Sequence, residues 1–154
     1  MPTEWTKLES KDGNDVADVY AAIELIRTGD IALAKAGVIR DDQVRRMTVT
    51  ALVDSGAYTL AINSRIRDQL GLDKIEDRQA ELADGNRVTV EVVGPVDIKF
   101  ANRGSTVRAM VLPGEAEVLL GAIPLEDMDV QIDPRRRKLI VNPDYPYIPH
   151  GKLK

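Results

Sequence analysis

Apolar residues in this chain come in short runs that alternate with polar neighbours and stop at turn-forming residues. Segments 19–26, 47–53, 79–82, 88–92, 96–100, 106–112, 118–120, 130–132 and 138–141 each read as a strand. The breaks between them carry Asp84-Gly85, Gly94-Pro95, Asn102-Arg103-Gly104, Pro113-Gly114 and Pro134. A strand that hides one face must find a second layer. Many short strands at regular spacing therefore call for a closed or sandwich-like β fold.

Helix signals are few. Asp30 can cap a short helix through Ala36, with Gly37 as its stop. Segment 62–70 fits a second helix. Asn63 or Ser64 can cap it, Gly71 ends it, and Leu72 can fold back on the last turn. Pro124 suits the first position of a third helix that runs through Met128. Residues 40–43 make a charged turn. Gly94-Pro95 is expected to break the chain into two strands.

The 154 residues are enough for one domain with a real core. With one Trp, one Phe and four Tyr, that core must be Val, Leu, Ile and Ala. No aromatic cluster offers a platform for stacking bases. Net charge is −4 with both signs interspersed, which argues against general affinity for nucleic acid or for anionic membranes. The basic run Arg135-Arg136-Arg137-Lys138 follows Pro134 and reads as a solvated turn. The absence of cysteine removes disulfides, thiolate metal sites and a Cys nucleophile. No stretch is long and apolar enough to span a bilayer, so a soluble, cytoplasmic protein is expected. Residues 1–17 read as a mobile arm, 18–143 as the domain, and 144–154 as an extended Pro-rich tail.

Chemistry concentrates at Asp54-Ser55-Gly56-Ala57, directly after the strand that ends at Val53. A carboxylate leaving an apolar strand is costly unless it has a task. A plainer reading is an Asx-turn that Gly56 completes. Context favours a task. A glycine-tipped hairpin follows at Ala83-Asp84-Gly85-Asn86, and an apolar strand, Val118-Leu119-Leu120, runs into Gly121 before a helix. The second strand–Gly–helix unit echoes the first but lacks the acid.

Other candidates point to structure. His150 is the single histidine and lies in the Pro-rich tail, which disfavours a Ser-His triad or a His-based zinc site. Glu126, Asp127 and Asp129 read as a solvated helix before they read as a cation site. Gly37, Gly56 and Gly71 are isolated and form no phosphate loop.

The order of these elements resembles the retropepsin-like aspartic proteases, in particular small bacterial members. Ala51 to Ala57 matches the active-site loop, Leu82-Ala83-Asp84-Gly85 the flap, and Leu119-Leu120-Gly121 the second apolar loop. The stretches 124–130 and 139–143 match the end of the domain. The resemblance implies a mainly all-β fold, a closed single-lobe barrel with two or three short helices. It implies peptide hydrolysis by two carboxylates that share a proton. It makes Asp54 catalytic, with Ser55 bracing the loops and Gly56 donating N–H groups to the carboxylates. Ala83, Asp84 and Gly85 would close over an extended substrate, and Ala57, Leu119, Leu120 and Gly121 would support the site. Tyr58 would line the pocket or pack near an interface. Ala83 and Val92 point to small or apolar subsites. No cofactor and no metal are implied.

The chain has one Asp-Ser-Gly, so a catalytic pair requires a homodimer. Its partners are then a second copy and a peptide or protein substrate. The alternative is a non-catalytic retropepsin-fold dimer that binds peptides or acts as a scaffold. Behind both stands a metal-dependent hydrolase that combines Asp54 with the cluster at 126–129.

Overall fold

The computed structural model describes residues 18–153. The mobile arm expected over 1–17 lies outside the described residues. Among the described residues nine strands form: β1 (Tyr20–Arg27), β2 (Arg46–Val53), β3 (Leu60–Ile62), β4 (Lys74–Glu81), β5 (Arg87–Phe100), β6 (Arg103–Val111), β7 (Val118–Leu120), β8 (Val130–Asp133) and β9 (Lys138–Val141). Three short helices accompany them: α1 (Thr28–Lys35), α2 (Ser64–Leu70) and α3 (Ala122–Met128).

The sheet runs β1-β2-β7-β3-β6-β5-β4, and β1 also pairs with β5. That extra ladder closes six strands into a barrel and leaves β4 outside the ring, joined only to β5. Closure removes the exposed edges of the six ring strands, and β4 keeps one. Two parallel pairings, β2 with β7 and β3 with β6, bring distant segments side by side. The interior is aliphatic, as the composition demands. Ile23, Leu25, Leu60, Ile62, Ile98 and Leu120 are fully buried. β8 and β9 form a separate hairpin, and the basic run at its turn is exposed.

Several expectations hold. The Asn63 side chain accepts from the Ile66 N–H at 3.0 Å and caps α2. Gly71 is left-handed, and the Leu72 N–H reaches back to the Arg67 carbonyl at 3.0 Å. Gly37 likewise follows the end of α1 with positive φ.

Four expectations need correction. Residues 60–62 form strand β3, so α2 begins only at Ser64. Three residues are too few for alternation to reveal a strand. α3 begins at Ala122, which puts Pro124 at the third helical position instead of the first; its missing N–H still falls among first-turn donors that have no helical partner. β5 runs through Gly94-Pro95 instead of breaking there. The ladder to β6 shifts between Val93 and Val96, so Pro95 lies where no bond is needed.

The fourth concerns Asp30, which does not cap α1. The helix starts at Thr28, and Asp30 is buried in its first turn. Its carboxylate receives the Arg45 N–H at 3.0 Å, Arg45 Nε at 2.9 Å, Arg45 Nη2 at 3.1 Å and Arg27 Nη1 at 2.9 Å. Arg27 also donates to the Gly71 carbonyl, so the network ties β1, α1, the start of β2 and the end of α2 together.

The tail beyond β9 has no helix or strand, but it turns back on itself. Tyr145 and His150 stack with ring centroids 4.3 Å apart. The Asn102 side chain donates to the Pro146 carbonyl, the buried Arg103 to that of Tyr145, and the His150 N–H to Asp129.

Candidate active site

β2 delivers Asp54 to the end of the barrel. Ala51, Leu52 and Val53 pair in parallel with Val118, Leu119 and Leu120, and the Asp54 N–H extends that ladder to the Leu120 carbonyl at 3.0 Å. The two motifs singled out in the sequence are thus adjacent strands. The chain then turns sharply. The Gly56 N–H donates to Asp54 Oδ1 at 3.0 Å, and the Ala57 N–H to the Asp54 carbonyl at 3.0 Å. This is the Asx-turn of the plainer reading. Asp54 is half-buried, Ser55 exposed and Ala57 buried.

Gly121 is what lets the two loops meet. The Ala122 N–H donates to the Ala57 carbonyl at 2.8 Å, and the Ile123 N–H to the Tyr58 carbonyl at 3.2 Å. A Cβ on Gly121 would collide with the Thr59 carbonyl and stand 2.6 Å from the Ala57 carbonyl. Its φ of −95° is ordinary, so glycine is required here by space and not by backbone angle.

Asp54 opens onto a cleft of about 240 Å³. Leu52, Ala57 and Leu119 line it from the β2 and β7 side, Thr59 and Ala61 from β3 and its approach, and Met110 and Leu112 from β6 and its end. Ala80, Glu81, Leu82 and Ala83 come from β4 and the hairpin turn, and Glu117 from the lead into β7. The hairpin is the one expected. The Leu82 N–H donates to the Asn86 carbonyl at 2.8 Å, the Gly85 N–H to the Leu82 carbonyl at 2.9 Å, and Gly85 has φ of 88°. Beneath it Ala80, Val90, Val92 and Met110 form a small apolar cluster, separate from the barrel core.

The structure brings Asp54, Ala57, Ala83 and Leu119 together around this cleft. Ser55, Gly56, Asp84, Gly85, Leu120 and Gly121 do not line it. Ser55, Asp84 and Gly85 are exposed, and Leu120 and Gly121 are buried beneath. Val92 belongs to the cluster under the hairpin. Tyr58 is 49% exposed and outside the cleft, with the Arg78 guanidinium 5.9 Å from its ring centroid.

Sequence reading missed most of the lining. Ala57, Thr59 and Ala61 meet the cleft at period two, but only Ala61 lies in β3, which is too short for that alternation to be read from the sequence. Met110 and Leu112 repeat that pattern. Nothing local marked Glu81 or Glu117. Tyr20 Oη donates to Glu117 Oε1 at 2.9 Å, and this bond pushes Tyr20 above its ordinary phenol value.

Two acids of the cluster near α3, Asp127 and Asp129, are spent on structure. Asp127 accepts from the Ser105 hydroxyl at 2.7 Å, and Asp129 accepts from Asn142 and His150. Those bonds, the Asn142 one foremost, hold the Asp129 carboxyl below its usual value. Among the described residues no group of three or more His, Asp or Glu is arranged to hold a metal ion, and no helix is long and apolar enough to cross a membrane.

The aspartyl protease family's sequence pattern matches residues 36–122, which takes in the Asp54 turn, the hairpin and Gly121. The chain belongs to the aspartyl protease family. Among solved structures it is similar to the retroviral protease-like domain of Ddi1 from Leishmania major, with a TM-score of 0.50 and 16% identity over 84% of this chain and 91% of that one. A retropepsin-like aspartic protease from Rickettsia conorii matches with a TM-score of 0.39 and 17% identity, over 76% of this chain and 88% of that one. No curated protein matches the chain. The closed barrel is that of a retropepsin-like aspartyl protease.

Proposed function

We propose that this chain is an aspartic endopeptidase that acts as a homodimer, hydrolysing peptide bonds with a water activated between the Asp54 carboxylates of two subunits. The observation that carries the reading is Asp54 at the wall of an apolar cleft, between the β2–β7 pair and a glycine-tipped hairpin. Two carboxylates held close cannot both ionise, so the pair carries one shared proton. The ionised Asp54 takes a proton from water, which attacks the peptide carbonyl carbon. The protonated Asp54 gives its proton to the carbonyl oxygen. Collapse of the tetrahedral species expels the amine, which takes a proton from the dyad.

Self-pairing is needed because the chain has a single Asp-Ser-Gly. Supporting it, the exposed Tyr58 and Ile123 lie beside the loop and are joined by a backbone hydrogen bond. In this reading Ser55 braces the paired loops, Gly56 lets an N–H reach the carboxylate, and Ala83, Asp84 and Gly85 cover an extended substrate. The test is cleavage of a peptide library by wild type and Asp54→Asn, with light scattering at micromolar concentration. Loss of cleavage in Asp54→Asn and a dimeric mass are expected. Equal rates in the two proteins, or a monomer that still cleaves, would sink the mechanism.

A second reading, a peptide-binding or scaffold dimer, draws on the Gly56 bond to Asp54, which serves the turn whether or not catalysis occurs. Peptide binding without turnover would favour it.

A further inference from the structure

We propose that the Asp54 cleft selects a basic side chain, lysine or arginine, next to the bond to be cut, through Glu81 and Glu117. The inference rests on the peptidase reading and deepens it. Three titratable side chains line the cleft, Asp54, Glu81 and Glu117, and all three are acidic. Among the described residues no Lys, Arg or His lines it. The rest of the wall is short or aliphatic, with Ala57, Ala61, Ala80 and Leu119 among it.

That combination suits a side chain with an apolar stem and a cationic end. The stem of Lys or Arg lies against alanine and leucine while its head reaches carboxylates at the mouth. Glu81 is half-buried and Glu117 exposed, so both meet solvent and can exchange hydration for a cation. The two come from different directions, Glu81 from β4 below the hairpin turn and Glu117 from the lead into β7.

Glu117 is held for this role. The Tyr20 hydroxyl donates to its Oε1 at 2.9 Å, which orients the carboxylate with a neutral donor and leaves its charge in place. Neither Glu81 nor Glu117 has an Arg or Lys within ion-pair distance among the described residues, although other carboxylates of the molecule do, such as Glu76, Glu91 and Asp30. An acidic substrate side chain would meet like charge and be rejected. The alanine-lined wall by itself would have selected small apolar groups; the two glutamates change that.

The experiment uses labelled peptides that differ at one position beside the scissile bond: Lys, Arg, Gln, Leu or Glu. The readout is the ratio of kcat/KM between peptides. Wild type is expected to favour Lys over Leu by about tenfold, with the ratio shrinking as salt rises. Glu117→Gln and Glu81→Gln should each lower it, and the double reversal Glu81→Lys with Glu117→Lys should turn the preference toward Glu. Thermal unfolding checks that each variant is folded. Equilibrium binding of the same peptides reads the charge preference without turnover. A protein that cuts nothing but binds Lys peptides more tightly fails the peptidase reading and keeps this one. Equal rates and equal affinities for Lys, Leu and Glu peptides, or a ratio unmoved by the charge reversal, overturn it.

Discussion

Asp30 and Asp54 are both aspartates close to the end of a barrel strand, and the fold treats them in opposite ways. Asp30 is 1% exposed and receives hydrogen bonds from two arginines and a backbone N–H. Asp54 is half-buried at a cleft, and Gly56 reaches its Oδ1 with a backbone N–H. A carboxylate surrounded by guanidinium groups is stabilised as an anion and is chemically inert. One that borders an apolar cleft beside a turn N–H lies where the proposed reaction needs it. An acid in an awkward place is therefore no sign of chemistry until its partners are known. Arg45 makes Asp30 a structural residue, and the cleft makes Asp54 a reactive candidate.

The comparison breaks most readily at Asp54. Asp54→Asn should lower peptide cleavage on the order of 10³-fold and leave the thermal midpoint near that of wild type. A large fall in stability would mean that Asp54, like Asp30, is there for the fold. Asp30→Ala is the reverse experiment. It leaves Arg27 and Arg45 facing an unfilled, buried site, and a loss of about 3 kcal/mol in urea unfolding is expected. An unchanged unfolding midpoint would show that the arginines are as well off in water.

Gly121→Ala lies between the two, since it disturbs both fold and site. The added methyl meets backbone oxygens of Ala57 and Thr59, which cannot swing aside as a side chain can. A loss of about 2 kcal/mol with displacement of the Asp54 turn is expected. A crystal structure with the loop unmoved would remove the crowding argument.

The smallest effect is on pH dependence. The Arg45 hydrogen bonds to Asp30, foremost, hold its carboxyl well below the ordinary value of 3.8. Because the folded value is the depressed one, this stabilisation is complete above about pH 4 and is lost as pH falls further. Urea midpoints measured from pH 5 downward should drop, and Asp30→Asn should flatten that slope. An unaltered slope in the variant would assign acid sensitivity to other carboxylates.

The sequence carried the main elements because their signals are local. Alternation marked β2, Asp84-Gly85 marked the hairpin, and Asn63 and Gly71 bracketed α2. It failed where a role depends on a distant partner. Asp30 looks like a helix cap until Arg45 is placed against it. Ile62 looks like the start of a helix until β3 is placed between β6 and β7. Glu117 carries no local signal of a role until the fold sets it beside Glu81 at the cleft and within reach of the Tyr20 hydroxyl.

What the sequence determined by itself is the strand inventory, the aliphatic core and a single Asp-Ser-Gly turn, since backbone periodicity, residue volume and turn chemistry act between near neighbours. What only the tertiary structure decided is the closure of the barrel by β1 against β5 and the contact of the Asp54 loop with Gly121. It also decided which acids would face an open cleft. Those outcomes depend on pairings between segments far apart in the chain, antiparallel for β1 with β5 and parallel for β2 with β7, and no local signal in either partner specifies the other.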